Sequence, residues 1–220
     1  MKTLEEYFQE REFAPDGSAG EELSAAEKAF LQKYLGVEGK DALRGTGIDV
    51  PDEALEEEGI AAAVAKEPSL EEQLKVQPEL QLVSFFVQGQ EFTIPINVVQ
   101  EVIRFQQPTR LPLAPAFIPG VINLRGRVTP LVSLRYFLHG KSGEAARDDF
   151  IIVCSRKGLQ MGLVISTVHT MYRVRQDMID WGIESTLGAN AELVSGLLQS
   201  DDRLVGILSV DRIVDTILKL

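Results

Sequence analysis

The chain has 220 residues, of which 45% are hydrophobic, and a formal net charge of −11. This size suits one large domain or a domain with a tail, and the apolar content can supply a core. Residues 1–80 carry 8 basic and 20 acidic side chains, against 14 and 13 in the remainder, which disfavours binding to nucleic acid or an anionic membrane. No apolar run is long enough to span a membrane, and the N-terminus lacks a signal-peptide core, so a cytoplasmic location is expected.

Residues 1–79 are predicted to form an acidic extension with short amphipathic helices and a linker. Three pairs have the capping-box spacing that satisfies free amides of a first helical turn: Thr3/Glu6, Ser24/Glu27 and Ser69/Glu72. Only the second precedes a convincing apolar stripe, which predicts a helix from Ser24 to Leu35 ended by Gly36. Because such a helix is not stable alone, it must dock on the folded domain, dock on a partner, or stay mostly unfolded.

The segment from Gly36 to Pro68 is rich in glycine and acidic residues and is interpreted as a linker. Two interpretations of the whole extension remain open at this point. It is either a solubilising, partly disordered tail or a segment that binds a specific partner.

The pattern changes to strands at about residue 80. The apolar runs 82–87 and 92–96 predict a hairpin with Gly89 near its turn. Pro95 is expected at a sheet edge or a strand end, because proline cannot donate to a ladder. The next apolar run, 98–103, predicts a strand from which Glu101 points outward.

The stretch 114–135 contains the most distinctive chemistry. Its prolines exclude a continuous helix, and the apolar runs 121–124 and 128–134 predict a second hairpin with Gly126 in the turn. Arg125 and Arg127 lie at or beside the tip. Arg125 is either a solvated turn residue or a ligand for a carboxylate or carbonyl oxygens on a partner, to which its fixed donors are suited.

A second group of strands follows a polar loop. Strands are predicted over 150–154, 159–168, 171–174, 196–198 and 204–210, with a turn at 157–158 and an amphipathic helix over 211–218. Gly162 suggests a bulge or a close backbone approach. The single cysteine, Cys154, excludes an internal disulfide and is expected as a buried strand thiol.

No catalytic or cofactor site is predicted. His139 and His169 are far apart and have no metal-ligand spacing, and the Asp148/Asp149 and Asp201/Asp202 pairs are adjacent acids in polar loops. No glycine-rich phosphate loop with lysine and serine occurs. An enzyme is therefore not expected, and neither are a metal nor a small-molecule cofactor.

The central motif combines Pro112, Pro115, the segment Phe117–Ile118, the segment Gly120–Gly126 and the segment Pro130–Arg135. This motif resembles the signature of the CheW family of chemotaxis coupling proteins. The resemblance covers about residues 80–219 and includes later segments: 150–153, 161–164 and 203–212. It marks the chain as similar to a CheW-like adaptor with an acidic N-terminal extension.

The resemblance implies a mainly β fold of two five-stranded SH3-like β-barrels packed side by side, with a partly helical, partly disordered N-terminal extension. The first barrel is expected around residues 82–135 and the second around 149–210, and elements are allowed to interchange. Barrel closure also makes physical sense, since it removes exposed strand edges. Ser133 and Ser209 stand where the family commonly has aspartate, so the polar contacts that an aspartate makes at these positions are expected to be absent.

The resemblance also implies a non-catalytic adaptor that couples the cytoplasmic tip of a chemoreceptor to the regulatory domain of a CheA-type histidine kinase. Val99, Glu101 and Arg125 are carried over as receptor-binding residues, and Gly120 and Gly126 as structural turn residues. The protein is then expected in the cytoplasm, in association with membrane-bound receptor arrays. No nucleic acid and no membrane insertion are expected.

Two alternatives remain. The extension could direct the module to a non-flagellar pathway for surface sensing or motility, as the striped helix at residues 24–35 suggests. The protein could instead be a nucleic-acid-binding β-barrel that uses its arginines, although these are sparse, lack interleaved aromatic residues and are opposed by the acidic tail.

Overall fold

The computed structural model describes residues 24–44, 68–139, 149–181, 193–200 and 203–219, with side chains in the first segment described up to Leu35. The predicted capping pair Thr3/Glu6, most of the predicted linker, and Asp148, Asp201 and Asp202 lie outside these residues.

The described part of the chain is mainly β. Its strands are, in chain order, β1 Glu79–Val87, β2 Gln90–Pro95, β3 Val99–Arg104, β4 Gly120–Leu124, β5 Arg127–Ser133, β6 Phe150–Arg156, β7 Leu159–Ile165, β8 Thr167–Arg175, β9 Ile179–Asp180, β10 Val194–Ser200 and β11 Arg203–Leu208. Four α-helices accompany them: α1 Ala25–Arg44, α2 Leu70–Lys75, α3 Leu134–His139 and α4 Val210–Lys219. The predicted strand over 159–168 is divided at Ser166 into β7 and β8.

Three hairpins turn on a pair of residues that both have positive φ. The pairs and their φ angles are Gln88 (51°) and Gly89 (80°), Arg125 (54°) and Gly126 (86°), and Lys157 (51°) and Gly158 (73°). Two successive positive φ values are the requirement of a type I′ turn, whose twist matches that of the flanking strands. The hairpin turns predicted at these three glycines are confirmed.

The strands form two sheets. One has the order β8, β1, β2, β11, β10, β9, and the other has the order β3, β6, β7, β5, β4. In each sheet a single pair is parallel, β2 with β11 and β5 with β7, and the other pairs are antiparallel. The predicted mainly β fold of two units is thus confirmed, and the short β9 gives one unit a sixth strand.

The two sheets exchange strands. β3 follows the β1–β2 hairpin in the chain but pairs with β6 in the other sheet, whereas β8 follows the β6–β7 hairpin but pairs with β1. Strands β1 and β2 therefore belong to the same sheet as β8 to β11, not to the sheet of β3, β4 and β5. The interchange that the sequence left open occurs because strand pairing depends on contacts between distant segments, which local patterns do not report.

Most buried apolar side chains form one cluster that the two sheets and the helices share. A smaller cluster lies within the five-stranded sheet and consists of Ile122, Leu131, Ile151, Val153 and Val164. Gly162 lies among these residues, and a Cβ there would come within 2.6 Å of the side chains of Ile151 and Leu131. The predicted close approach at Gly162 is confirmed, while the β6–β7 register passes through it without a bulge.

Helix α1 docks on the folded domain, which answers the question left open for its stripe. Phe30, Leu31 and Leu35 are each 1% exposed and belong to the main cluster. Tyr34 Oη donates to the carbonyl of Ile217 at 2.8 Å and Lys33 Nζ donates to that of Leu218 at 3.1 Å. These bonds satisfy free carbonyls at the end of α4, where a cation is also favoured by the helix dipole.

The boundaries and caps of the extension helices differ in two ways from the prediction. Helix α1 continues past Gly36 to Arg44, since an internal glycine costs about 1 kcal/mol relative to alanine and does not by itself end a helix. The pair Ser69/Glu72, judged unconvincing from the sequence, forms a complete capping box at α2. The pair Ser24/Glu27 also forms both bonds of the box, as predicted.

Candidate functional site

The candidate site is the tip of the β4–β5 hairpin together with strand β3. The turn is closed by a bond from the amide of Gly126 to Asn123 Oδ1 at 2.9 Å. Arg125 has a positive φ, a conformation uncommon for residues with a Cβ. Its side chain is 63% exposed, so the turn presents the guanidinium to solvent.

Arg125 and Glu101 form an ion pair, although they lie 24 positions apart. Arg125 Nη2 is 3.0 Å from Glu101 Oε2, and the Glu101 side chain is 23% exposed. β3 and β4 are the two edge strands of the five-stranded sheet and are not hydrogen-bonded to each other. The pair therefore spans the two edges of a sheet that curls back on itself, as a closing barrel requires.

Gly120 begins β4 under a tight steric constraint. Its φ is +149°, and a Cβ at this position would lie 2.1 Å from the carbonyl oxygen of Thr109. Thr109 forms an isolated bridge with Val121, with two backbone bonds of 2.8 Å. Only glycine therefore lets the 109 segment approach the hairpin this closely.

Val99 does not share the surface with Glu101 and Arg125. It is 4% exposed, belongs to the main core cluster, and pairs with Cys154 of β6. The register of β3 on β6 shifts between Val99 and Glu101. In this structure the Val99 side chain therefore lies in the core, away from the charged pair at the surface, and its assignment to the receptor side stays a prediction.

Cys154 and His169, which the sequence also singled out, lie in described strands, whereas the His139 side chain lies outside the described residues. Cys154 is fully buried in β6, so the predicted buried strand thiol is confirmed, and burial raises the pKa of its thiol to about 12. His169 is exposed, and its ring meets Phe86 edge-on at 5.2 Å. Within the described segments, no group of three or more potential metal ligands occurs and no helix is long and apolar enough to cross a membrane.

Sequence reasoning missed a buried polar node around Asp211, which is 7% exposed. Asp211 Oδ1 accepts from Arg156 Nε at 2.6 Å, and Oδ2 accepts from the amide of Leu70 at 2.5 Å. Arg156 also donates to the carbonyl of Pro68 at 2.8 Å. Burial alone would raise the pKa of Asp211, but the bonds from Arg156 and Leu70 and the charges of Arg156 and Lys157 lower it. No local pattern links these residues, because Leu70 and Asp211 are 141 positions apart.

Ser133 and Ser209, the two serines expected from the sequence to replace aspartates, have different surroundings. Ser209 Oγ accepts from the amide of Arg212 at 3.4 Å, so it caps the first turn of α4 as an aspartate could. Ser133 is 5% exposed, and its amide donates to the carbonyl of Phe117 at 2.8 Å. The cap at the start of α4 is thus formed by a serine hydroxyl.

Comparison with known proteins shows which family this chain resembles in sequence. The description "CheW-like domain" applies to a family whose profile matches residues 81–218. A chemotaxis protein CheW of Helicobacter pylori is 34% identical over 135 residues, which are 61% of this chain and 81% of that protein. A chemotaxis protein CheW of Bacillus subtilis is 27% identical over 134 residues, which are 61% of this chain and 86% of that protein.

A solved structure shows the same fold. The crystal structure of the scaffolding protein TtCheW from Thermoanaerobacter tengcongensis matches with a TM-score of 0.55 and 25% sequence identity. The match covers 61% of this chain and 90% of that chain. The family profile covers more than half of the chain, and the chain therefore belongs to the CheW-like domain family.

Proposed function

We propose that the protein is a non-catalytic adaptor of bacterial chemotaxis that couples a chemoreceptor to a CheA-type histidine kinase. Membership of the CheW-like family and the curated relatives named as chemotaxis proteins support this proposal. The observation that carries the assignment of the receptor side is the exposed Arg125–Glu101 pair at the seam of the five-stranded sheet. In this role the protein acts in the cytoplasm, at membrane-bound receptor arrays.

The geometry of the pair suits reversible recognition. An ion pair with one side chain 63% exposed contributes only about 0–1 kcal/mol to stability. A partner can therefore replace it at small cost, with Arg125 donating to a partner carboxylate or to carbonyl oxygens at a helix end. Before a partner binds, Glu101 holds the Arg125 guanidinium in one orientation. The unbound surface is therefore already close to the arrangement that the partner would contact.

The rigid surroundings of the pair support this role. Gly120, with the bridged Thr109 segment, shapes the base of the hairpin, and the Arg125–Gly126 turn shapes its tip. Val99 contributes from the core by holding β3 on β6. A kinase regulatory domain would contact faces of both β units, so that signal passes through interfaces and no chemical step is needed.

The other functions considered from the sequence lose support. The apolar stripe of α1, which motivated a separate pathway, is buried inside the molecule. Of the arginines that a nucleic acid would need, Arg125 is paired with Glu101, Arg127 with Glu27, and Arg104 lies 4.6 Å from the Phe150 ring centroid. These residues do not form the free basic track that a nucleic acid requires.

The test is a binding titration of the purified full-length protein against the receptor tip and, separately, the kinase regulatory domain. Arg125→Glu should weaken receptor binding by about 2–5 kcal/mol if the pair is buried in the contact, and leave kinase binding unchanged. Arg173→Glu is the matched control, since Arg173 is 64% exposed and pairs loosely with Glu79 at 3.8 Å on the other sheet.

Each outcome has a distinct meaning. If Arg125→Glu binds the receptor as well as the Arg173→Glu control does, the site is wrongly placed while the adaptor function stands. If the wild-type protein binds neither the receptor tip nor the kinase domain, the adaptor function itself is wrong.

A further inference from the structure

The first turn of α1 touches the hairpin that carries the candidate receptor residue. Glu27 is 2% exposed, and its Oε1 lies 3.0 Å from Nη2 of Arg127, two positions beyond Arg125. The other oxygen, Oε2, accepts from the amide of Ser24 at 2.9 Å. Both oxygens of this buried carboxylate are thus bonded, one within the capping box of α1 and one to the start of β5.

The same helical turn is tied to the neighbouring hairpin. Ser24 Oγ donates to the carbonyl of Gly158, in the β6–β7 turn. β5 and β7 run parallel with Leu131 opposite Gly162, so the starts of both strands lie side by side. The N-terminal turn of α1 therefore bonds to two adjacent turns at one end of the five-stranded sheet.

Further along α1, side chains bond to the C-terminal end of α4. The buried stripe and the bonds from Tyr34 and Lys33 to the carbonyls of Ile217 and Leu218 hold it there. α1 is therefore a stiff connection from the end of α4 to the tip of the β4–β5 hairpin. Because the family match begins at residue 81, this connection is an addition to the matched domain.

We propose that α1 positions the β4–β5 hairpin through Glu27, and that docking of the extension thereby sets the affinity of the receptor-facing surface at Arg125. The tip is held from two sides, by Arg125 on Glu101 and by Arg127 on Glu27. The bond between Arg125 and Glu101 is exposed, so a partner can replace it. The bond between Arg127 and Glu27 ends on a buried carboxylate, for which water cannot take the place of Arg127. Glu27 is thus a positioning residue, and this inference rests on the proposed receptor contact.

The test uses full-length Glu27→Gln, which keeps an oxygen for the Ser24 amide but removes the charge that Arg127 faces. Glu72→Gln is the matched control, since Glu72 has the same role in the capping box of α2. Backbone hydrogen exchange over residues 120–133 reports the hairpin without any partner. A titration against the receptor tip reports the site.

In Glu27→Gln we expect hairpin exchange to rise about tenfold and receptor affinity to fall about fivefold or more. Neither quantity should change in Glu72→Gln. In an Arg127→Gln background, Glu27→Gln should add nothing further to hairpin exchange, because the two residues act as one pair.

The proposal is overturned if hairpin exchange in Glu27→Gln matches that of the control. It is also overturned if exchange rises while receptor affinity stays at the wild-type value. If the wild-type protein does not bind the receptor tip, the proposed receptor role of the surface is wrong, and so is the predicted effect of Glu27 on receptor affinity. The hydrogen-exchange data alone then decide whether Glu27 positions the hairpin.

Discussion

At the scale of single residues, the candidate site depends on backbone conformations that few residue types adopt. Arg125 has a φ of +54°, and the left-handed region costs a residue with a Cβ about 1–2 kcal/mol. The type I′ turn, the bond from Gly126 to Asn123 and the pair with Glu101 hold it there. The result is a long cationic side chain at a tip whose backbone is restrained.

Gly120 provides a sharp test of this restraint. Gly120→Ala should destabilise the protein by about 1–3 kcal/mol, because the new Cβ would lie 2.1 Å from the Thr109 oxygen and backbone must move. The measurement is urea unfolding followed by circular dichroism.

The matched control is Gly89→Ala, in another hairpin turn. Gly89 has a φ of +80° but nothing lies within 4 Å of its Cβ position, so only the conformational cost of about 1 kcal/mol applies. If Gly120→Ala is no more destabilising than Gly89→Ala, the Thr109 contact does not constrain the hairpin.

At the scale of elements, the short helix α2 joins the two β units. Its N-terminal amide at Leu70 bonds to Asp211, which also binds Arg156 of the five-stranded sheet. At its other end Gln176 Nε2 donates to the carbonyls of Leu74 and Gln77, at 2.5 and 2.7 Å. A six-residue helix is not stable in isolation, so these tertiary bonds and the buried side chains of Leu70 and Leu74 hold it.

The Asp211 node makes the attachment of α2 sensitive to acid. The folded-state pKa of Asp211 is lowered, so its contribution to stability is fully present above its unfolded pKa, about 4. That contribution is lost as the pH falls further, through the folded-state pKa. The charged groups at the node are Arg156 and Lys157, and Lys157 also pairs with Asp215 at 2.6 Å.

Asp211→Asn should therefore lower the free energy of unfolding by about 1–3 kcal/mol at pH 7. The difference in unfolding free energy between wild type and variant should become smaller below about pH 4. Urea unfolding can be followed by the fluorescence of Trp181, the single tryptophan. Its Nε1 donates to Gln176 Oε1 at 3.0 Å, and Lys75 Nζ lies 5.7 Å from its ring. This account is contradicted if the difference in unfolding free energy between wild type and variant is the same at pH 7 and at pH 3.

At the scale of the whole molecule, helix α1 of the extension is part of the folded unit. The side chains of Phe30, Leu31 and Leu35 are among the largest that are fully buried. They share one core cluster with strands of both sheets and with α4. The folded unit of this protein therefore includes α1, which lies well before the family match at residue 81.

Deletion of residues 1–44 should lower the free energy of unfolding by about 2–5 kcal/mol, because it removes buried apolar area and exposes the surface that α1 covers. Part of the loss is offset, since α1 no longer has to be ordered. Phe30→Ala in the full chain should reproduce most of the effect. Equal urea midpoints for the deletion and the full chain contradict an integral role for α1.

The sequence by itself determined the features that depend on neighbouring residues: the three glycine turns, most of the strands, the capping box of Ser24 and Glu27, the buried Cys154 and the family motif around Gly120 and Arg125. Turn dihedrals and side-chain alternation are local, so they can be predicted without knowing the fold. Only the tertiary structure decided the strand exchange between the sheets, the burial of Val99, the docking of α1 and the Asp211 node. These depend on which distant segments meet, and the periodicity of each segment carries no record of its partner.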